Sequence, residues 1–145
     1  MKALTASWQF WALLSAGFAA LTAIFAKAGV EQIDPDAATL IRTVVILAIA
    51  AAIVAVEGAW PQLHSIAART WLFLVLSGAA TGLSWLCYFR ALKIGDAARV
   101  APIDKLSVVF VAVFAVLFLR ERLSVLNWAG IVLIALGAVL VAQRN

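Results

Sequence analysis

The sequence predicts an all-α integral membrane protein built from five antiparallel transmembrane helices. Its 145 residues are 66% hydrophobic and only 12% charged, and the mean hydropathy is +1.10. A soluble domain of this length needs far more polar surface. The net charge of +4 would suggest nucleic-acid binding in a soluble chain. Here the basic residues stand mostly at the ends of apolar runs, as membrane topology requires. We therefore expect contact with the lipid bilayer and none with nucleic acid.

Five apolar runs have the length of a membrane span, because about 20 residues at 1.5 Å each cover roughly 30 Å of hydrocarbon. They comprise residues 8–26, 37–56, 70–89, 100–119 and 123–142. No run alternates polar and apolar residues with a period of two, so strands are not expected. The first run is too long for a signal peptide and is closed by Lys27, which favours a retained helix. Short connections then predict a single five-helix domain over residues 1–145. We call the membrane face that holds the N-terminus side A and the opposite face side B.

Arg42 lies about five residues inside the second segment, where a charge costs roughly 2.5–3.5 kcal/mol on insertion scales. Its long stem could snorkel to the side B headgroups, or its charge could face the interior of the helix bundle. Trp85, Tyr88 and Arg90 form a polar and aromatic end of the third segment near the same side. The other tryptophans stand at side A ends, as an interfacial belt should. Trp85 does not fit that belt, which favours a place along a ligand pathway.

The fourth segment carries Pro102, Asp104 and Lys105 about one turn inside its apolar run. A helix that begins with Asp96 as its N-cap would meet Pro102 and kink. Alternatively, the helix begins at Pro102 and Asp104 complements the helix dipole. That alternative leaves Lys105 unexplained, because a cation in the first turn opposes the dipole. Adjacent helical residues point about 100° apart, so we expect Asp104 and Lys105 each to have a partner on another helix. Arg42 is the natural partner for Asp104.

Several motifs fit together as one pattern, and the most specific of them is Pro102-Ile-Asp-Lys-Leu-Ser107. The motifs lie in residues 22–29, 41–45, 88–109, 117–124 and 128–137. This combination resembles the EamA-type drug/metabolite transporters, and in particular their small five-helix bacterial and archaeal branch. Arg120 departs from the pattern, because the family commonly has glycine before Glu-Arg.

The resemblance implies a secondary transporter, commonly an exporter, of small organic metabolites or drugs in the cell (inner) membrane. It further implies alternating access. Most relatives carry two inverted five-helix halves in one ten-helix chain, with the substrate cavity between them. This chain would correspond to one half.

Position along the segments assigns the substrate pathway, on side B, to six residues. They are Arg42, Trp85, Tyr88, Arg90, Asp104 and Lys105. A pair of cations would favour carboxylate-bearing substrates, whereas Asp104 could instead carry a proton or bind a cation. An alternative function is a non-transporting membrane subunit that assembles with a partner protein. A membrane enzyme is disfavoured, because the sequence has no His-x-x-x-His, no cysteine–histidine set and no paired interior carboxylates. We therefore expect no catalytic residues, no metal and no cofactor.

The charge distribution leaves the orientation open. Side A carries Lys2, Arg69, Arg120 and Arg122, and side B carries Lys27, Arg90, Lys93, Arg99 and Arg144. The positive-inside rule needs a clearer excess, so two oppositely inserted copies could form an antiparallel homodimer that reproduces the inverted repeat. Small-residue faces at Gly78 with Gly82 and at Gly130 with Gly137 could pack within or between copies. The rival is a fixed orientation with side B inside, if Arg42 and Lys105 both snorkel to that side.

Overall fold

The computed structural model describes residues 7–60 and 65–143, and these two ranges contain helices and no strands. The helices are α1 (Trp8–Val30), α2 (Pro35–Val56), α3 (Ala68–Ile94), α4 (Ala97–Asp104), α5 (Ser107–Phe118) and α6 (Val125–Ala142). With α4 and α5 taken as one span, five helical segments within the described ranges are long and apolar enough to cross a membrane. The prediction of an all-α, five-span chain is confirmed. The inverted pairing of two copies stays a prediction.

The chain packs as two compact units, which are described separately. Of the described residues, the terminal unit comprises 7–24 and 94–143, and the middle unit comprises 25–60 and 65–93. Lys2 and Arg144, two of the charges in the orientation argument, lie outside the described residues.

Local sequence signals set two of the helix starts. The Asp34 carboxylate accepts hydrogen bonds from the backbone N–H groups of Asp36 (2.9 Å) and Ala37 (3.3 Å), and Pro35 occupies the first helical position of α2. Ser124 caps α6 in the same way by accepting a hydrogen bond from the Asn127 N–H. Side-chain oxygens at these positions satisfy N–H groups that have no partner inside the helix.

The fourth span is broken into two helices. α4 begins directly after Asp96, contains Pro102 and ends at Asp104, so the alternative in which the helix begins at Pro102 is wrong. Pro102 has no N–H, and the carbonyl of Ala98 therefore lacks its usual donor four residues later. The chain tightens just after the proline, where the Lys105 N–H donates to the carbonyls of Ala101 and Pro102. A bond from an N–H to the carbonyl three residues earlier is of the 3₁₀ type, and such turns are common at helix ends and as connectors between helices.

In the terminal unit, α4 and α5 both pack against α6. Its buried positions in these helices are alanines, namely Ala112, Ala115 and Ala138. Small residues allow helix backbones to approach closely where lipid provides no hydrophobic drive between helices. The glycines Gly130 and Gly137 do not make such a contact, because no other helix of this unit comes within 4 Å of a Cβ built on them.

In the middle unit, the buried side chains gather at the side B ends of the helices. Val30 and Leu92 are fully buried, and Phe89 is nearly so. The buried hydroxyl of Thr39 donates to the Pro35 carbonyl at 2.9 Å, one turn earlier. This local hydrogen bond satisfies the one buried polar side chain found among the described core residues. Gly78 and Gly82 have open space around them within the unit, so packing of that face against a second copy stays a prediction.

The turn between α5 and α6 explains the unusual residue at position 120. Arg120 has φ +56°, in the left-handed region that glycine adopts without strain. The N–H of Glu121 donates back to the carbonyl of Ala115 at 3.1 Å, which closes the end of α5. Left-handed residues of this kind commonly end helices and are usually glycine. The positive φ of this turn explains why glycine would suit position 120, as in the pattern that the sequence resembles. It also explains why arginine there is strained.

Candidate substrate pathway

Two lysines of the middle unit bind each other's helix ends. Lys93, at the end of α3, donates from Nζ to the carbonyls of Val30 (2.7 Å), Glu31 (2.6 Å) and Ile33 (3.1 Å). Lys27, near the end of α1, donates from Nζ to the carbonyl of Leu92 at 3.0 Å. We call this arrangement the lysine clasp. The last carbonyls of a helix lack intrahelical donors and carry its negative dipole end. Lys93 therefore stabilises the end of α1, and Lys27 stabilises the end of α3.

Arg90 ties α3 to the start of α2. Its Nη2 donates to both carboxylate oxygens of Asp36, at 3.1 and 2.9 Å. Both side chains are exposed, so the pair is of the kind that contributes little to stability in water. Asp36 lies in the first turn of α2, where a negative charge also complements the helix dipole. Arg90 is therefore a neutralised cation at the rim of the middle unit.

Arg42 lies over aromatic rings inside the span. The guanidinium carbon is 4.1 Å from the centroid of the Trp85 ring and 5.4 Å from that of Phe89. Trp85 and Phe89 are one turn apart on α3, so their rings lie on one face of the helix. The half-buried Tyr88 is close enough to interact with the Arg42 charge. The structure thus brings Arg42, Trp85 and Tyr88 together, and it adds Phe89 to the group.

We call the rings of Trp85 and Phe89 the aromatic platform, and its depth in the span disfavours the snorkelling alternative for Arg42. Trp85 lies about nine residues before the end of α3 at Ile94, which corresponds to about 13 Å along the helix axis. Helical side chains lean towards the helix N-terminus, which on α3 means away from side B. A guanidinium held over Trp85 therefore lies deeper in the span than the side B end of α3, away from the headgroups that a snorkelling arginine would reach.

In the terminal unit, the two charged residues at the break in the fourth span contact each other. Lys105 Nζ donates to Asp104 Oδ2 at 3.1 Å. The expectation that these neighbours are too poorly oriented to pair is wrong. Lys105 stands at the C-cap of α4 with helix-like φ −71° and ψ −7°, so the angular separation of the two side chains is kept, and it is the length of the lysine side chain that lets Nζ reach its neighbour. Arg42 belongs to the other unit, and its pairing with Asp104 stays a prediction.

A second ion pair stands at the start of α4. The Arg99 guanidinium donates to the Asp96 carboxylate three residues earlier. This is the spacing at which helical neighbours meet. The acidic residue at the helix start and the basic residue one turn later therefore neutralise each other.

Sequence reasoning missed Phe89, Asp36, Lys27 and Lys93 as parts of this region. The i, i+4 spacing of Trp85 and Phe89 was a usable signal for a shared aromatic face. The clasp had a weaker signal, which is a lysine in the last turn of both α1 and α3. Across the described ranges, no group of three or more His, Cys, Asp or Glu side chains is arranged to hold a metal ion.

Comparison with known proteins agrees with this architecture. The EamA-like transporter family matches residues 6–143. A Sinorhizobium protein named "Uncharacterized transporter in cobO 3'region" is 69% identical over 136 residues, which cover 94% of this chain and 96% of that relative. No solved structure matches the chain. The match over nearly all of the sequence, together with five apolar helical segments in the described ranges, shows that this multi-pass membrane protein belongs to the EamA-like transporter family.

Proposed function

We propose that the protein is a secondary transporter that exports a small organic metabolite or drug across the cell (inner) membrane by alternating access. The observation that carries the proposal is the Arg42 cluster. A guanidinium is held over Trp85 and Phe89 within an apolar span of a chain that belongs to a transporter family. Ionisable groups inside membrane spans are costly, and they commonly mark substrate or ion pathways.

The proposed pathway is bordered by the six residues that sequence position assigns to it. They are Arg42, Trp85, Tyr88, Arg90, Asp104 and Lys105. Hydrogen-bonded ion pairs hold Arg90 and Lys105, and such pairs can open and re-form as a pathway changes shape. A carboxylate-bearing solute suits this set, because carboxylates of the chain pair with Arg90 and Lys105 and the charge of Arg42 remains for an anion.

The test is flux through proteoliposomes that contain only the purified chain. Vesicles loaded with a labelled metabolite mixture from cells that overexpress the protein should lose particular compounds faster than protein-free vesicles. Cells that lack the protein should retain the same compounds. Flux by the chain alone would also remove the alternative of a non-transporting subunit that needs a partner protein. Absence of flux for every compound in the mixture would contradict the proposal.

We further propose an antiparallel homodimer as the working form. A five-span chain places its ends on opposite faces, and two inverted copies would supply the two halves that longer relatives carry in one chain. The support is the balance of charge between the two sides and the open glycine face at Gly78 and Gly82.

Terminal cysteines on a Cys87→Ser background test the orientation in intact cells with a reagent that does not cross the membrane. Labelling of both termini supports dual insertion, and labelling of one terminus alone refutes it. A monomer that is active in liposomes would refute the dimer.

A further inference from the structure

The cations of the middle unit differ in what they contact. The lysine clasp engages Lys27 and Lys93 with backbone carbonyls, and Arg90 is paired with Asp36. Within this unit, the contacts that the described residues make with the Arg42 guanidinium are with aromatic side chains, those of Trp85, Phe89 and Tyr88, and its charge has no carboxylate partner among them. Arg42 is also the cation that lies well inside a span. It therefore has a charge and hydrogen-bond donors available for a ligand.

The aromatic platform orients these donors without using them. Stacking on Trp85 at 4.1 Å and beside Phe89 at 5.4 Å engages the face of the guanidinium through cation–π attraction. The five N–H donors of arginine lie in the plane of the group and point outward from its edges. The rings thus fix the plane and leave the edges to bind an acceptor.

The chemistry of the acceptor follows from charge and shape. The two parallel N–H groups at one edge of a guanidinium match the two oxygens of a carboxylate. One carboxylate neutralises one arginine, whereas a dianionic phosphate would bring a second charge without a partner into the span. The rings of Trp85 and Phe89 place apolar surface beside the guanidinium, which suits an apolar body on the solute.

We infer that Arg42, on its platform of Trp85 and Phe89, binds the carboxylate of a monoanionic solute that has an apolar body. This inference rests on the proposed transport function, which it deepens by naming the substrate class and the residue that recognises it. It also separates Arg42 from Arg90 and Lys105, which are ion-paired.

The experiment measures binding of labelled benzoate to the purified chain in nanodiscs of phosphatidylcholine. Benzamide, benzylamine and phenyl phosphate are the competitors. They keep the phenyl ring and carry a neutral amide, a cationic amine or a phosphate in place of the carboxylate. Benzoate should bind, and the three competitors should displace it poorly. Arg42→Gln should weaken binding by about tenfold or more, as loss of a charge-assisted bidentate contact does. Arg42→Lys, which keeps the charge and loses the fork, should fall between the two.

Arg69→Gln is the matched control. Arg69 also lies over a ring of α3, with its guanidinium carbon 5.8 Å from the Phe73 centroid, but it stands at the opposite end of the helix. The Arg69 variant should bind benzoate as the unaltered protein does. If Arg42→Gln does not fold, Arg42→Lys and Trp85→Leu decide the same question, since both should weaken binding.

Four outcomes would overturn the inference: no benzoate binding at millimolar concentration, equal binding by the Arg42 variants, equal competition by benzamide, or stronger binding of phenyl phosphate. The last outcome would indicate a phosphate site, including that of a lipid headgroup. Flux of a neutral or cationic solute that is indifferent to Arg42→Gln would refute the inference and leave the transport function standing. Arg42-dependent benzoate binding by a protein that moves no solute would support the inference about the binding site and refute the transport function.

Discussion

Replacement of Lys93 by methionine should destabilise the middle unit by about 3.5 kcal/mol. The change removes three charged hydrogen bonds, from Nζ to the carbonyls of Val30, Glu31 and Ile33. We take about 1 kcal/mol for each bond, below the usual range for charged donors, because the side chain is exposed. Loss of the complement to the α1 dipole adds about 0.5 kcal/mol. A change of about 3.5 kcal/mol corresponds to roughly 300-fold in the unfolding equilibrium.

The measurement is reversible unfolding in mixed micelles with a rising fraction of dodecyl sulfate, followed by circular dichroism. Lys27→Met should cost about 1.5 kcal/mol, because Lys27 makes one hydrogen bond to a helix-end carbonyl, that of Leu92. Arg122→Met is the control, since it removes an equal charge from an exposed loop and should change stability by no more than about 0.5 kcal/mol.

The reasoning about the clasp would be refuted by either of two results. One is a Lys93→Met protein as stable as the parent, which would mean that water replaces the lysine at the end of α1 without loss. The other is an equal loss in Arg122→Met, which would trace the effect to net charge. Lys93→Arg separates charge from geometry, because a planar fork is poorly shaped to converge on three carbonyls at once. It should be less stable than the parent and more stable than Lys93→Met.

Three further predictions concern other parts of the chain. Arg120→Gly should raise the free energy of unfolding by about 1 kcal/mol in the same assay, because the residue has a positive φ, whereas Arg122→Gly should give no gain. Lys105→Ala should preserve membrane expression and reduce flux in proteoliposomes; normal flux would show that the lysine only reaches to the lipid surface. Exchange of the charges of Arg90 and Asp36 should restore the part of each single reversal's loss that comes from the ion pair, no more than about 1 kcal/mol for an exposed pair, but not the part that comes from the α2 dipole. A double variant worse than both singles would argue against the pairing.

Properties that depend on local sequence could be predicted. Span number follows from the length of apolar runs, and the start of α2 follows from Asp34 before Pro35. The strained turn could be suspected from Arg120, where glycine is common in the family. In each case the physical cause lies within a few residues of its effect.

Contacts between helices could not be predicted in the same way. A membrane helix is apolar on nearly every side, so its sequence gives little sign of which face meets a neighbour and which meets lipid. Arg42 was identified as a costly interior charge, but its stacking on Trp85 and Phe89 depends on the rotation of both helices. Lys105 shows a different failure, because a separation of about 100° around the helix does not prevent its long side chain from reaching the neighbouring Asp104 at 3.1 Å.

The cations of the middle unit suggest that stability and recognition are separate in this fold. Among the described residues, the hydrogen bonds of Lys93 go to backbone carbonyls at a helix end. Every chain has such groups, so this role of Lys93 is independent of any solute. Arg42 is different, because an apolar residue of similar length could cover Trp85 and Phe89 without the cost of roughly 2.5–3.5 kcal/mol that a charge inside a span has on insertion scales. A need for stability therefore does not explain the arginine. The charge and the hydrogen-bond donors at the edges of the guanidinium are the properties that an apolar side chain would lack, and both are properties that a carboxylate ligand uses.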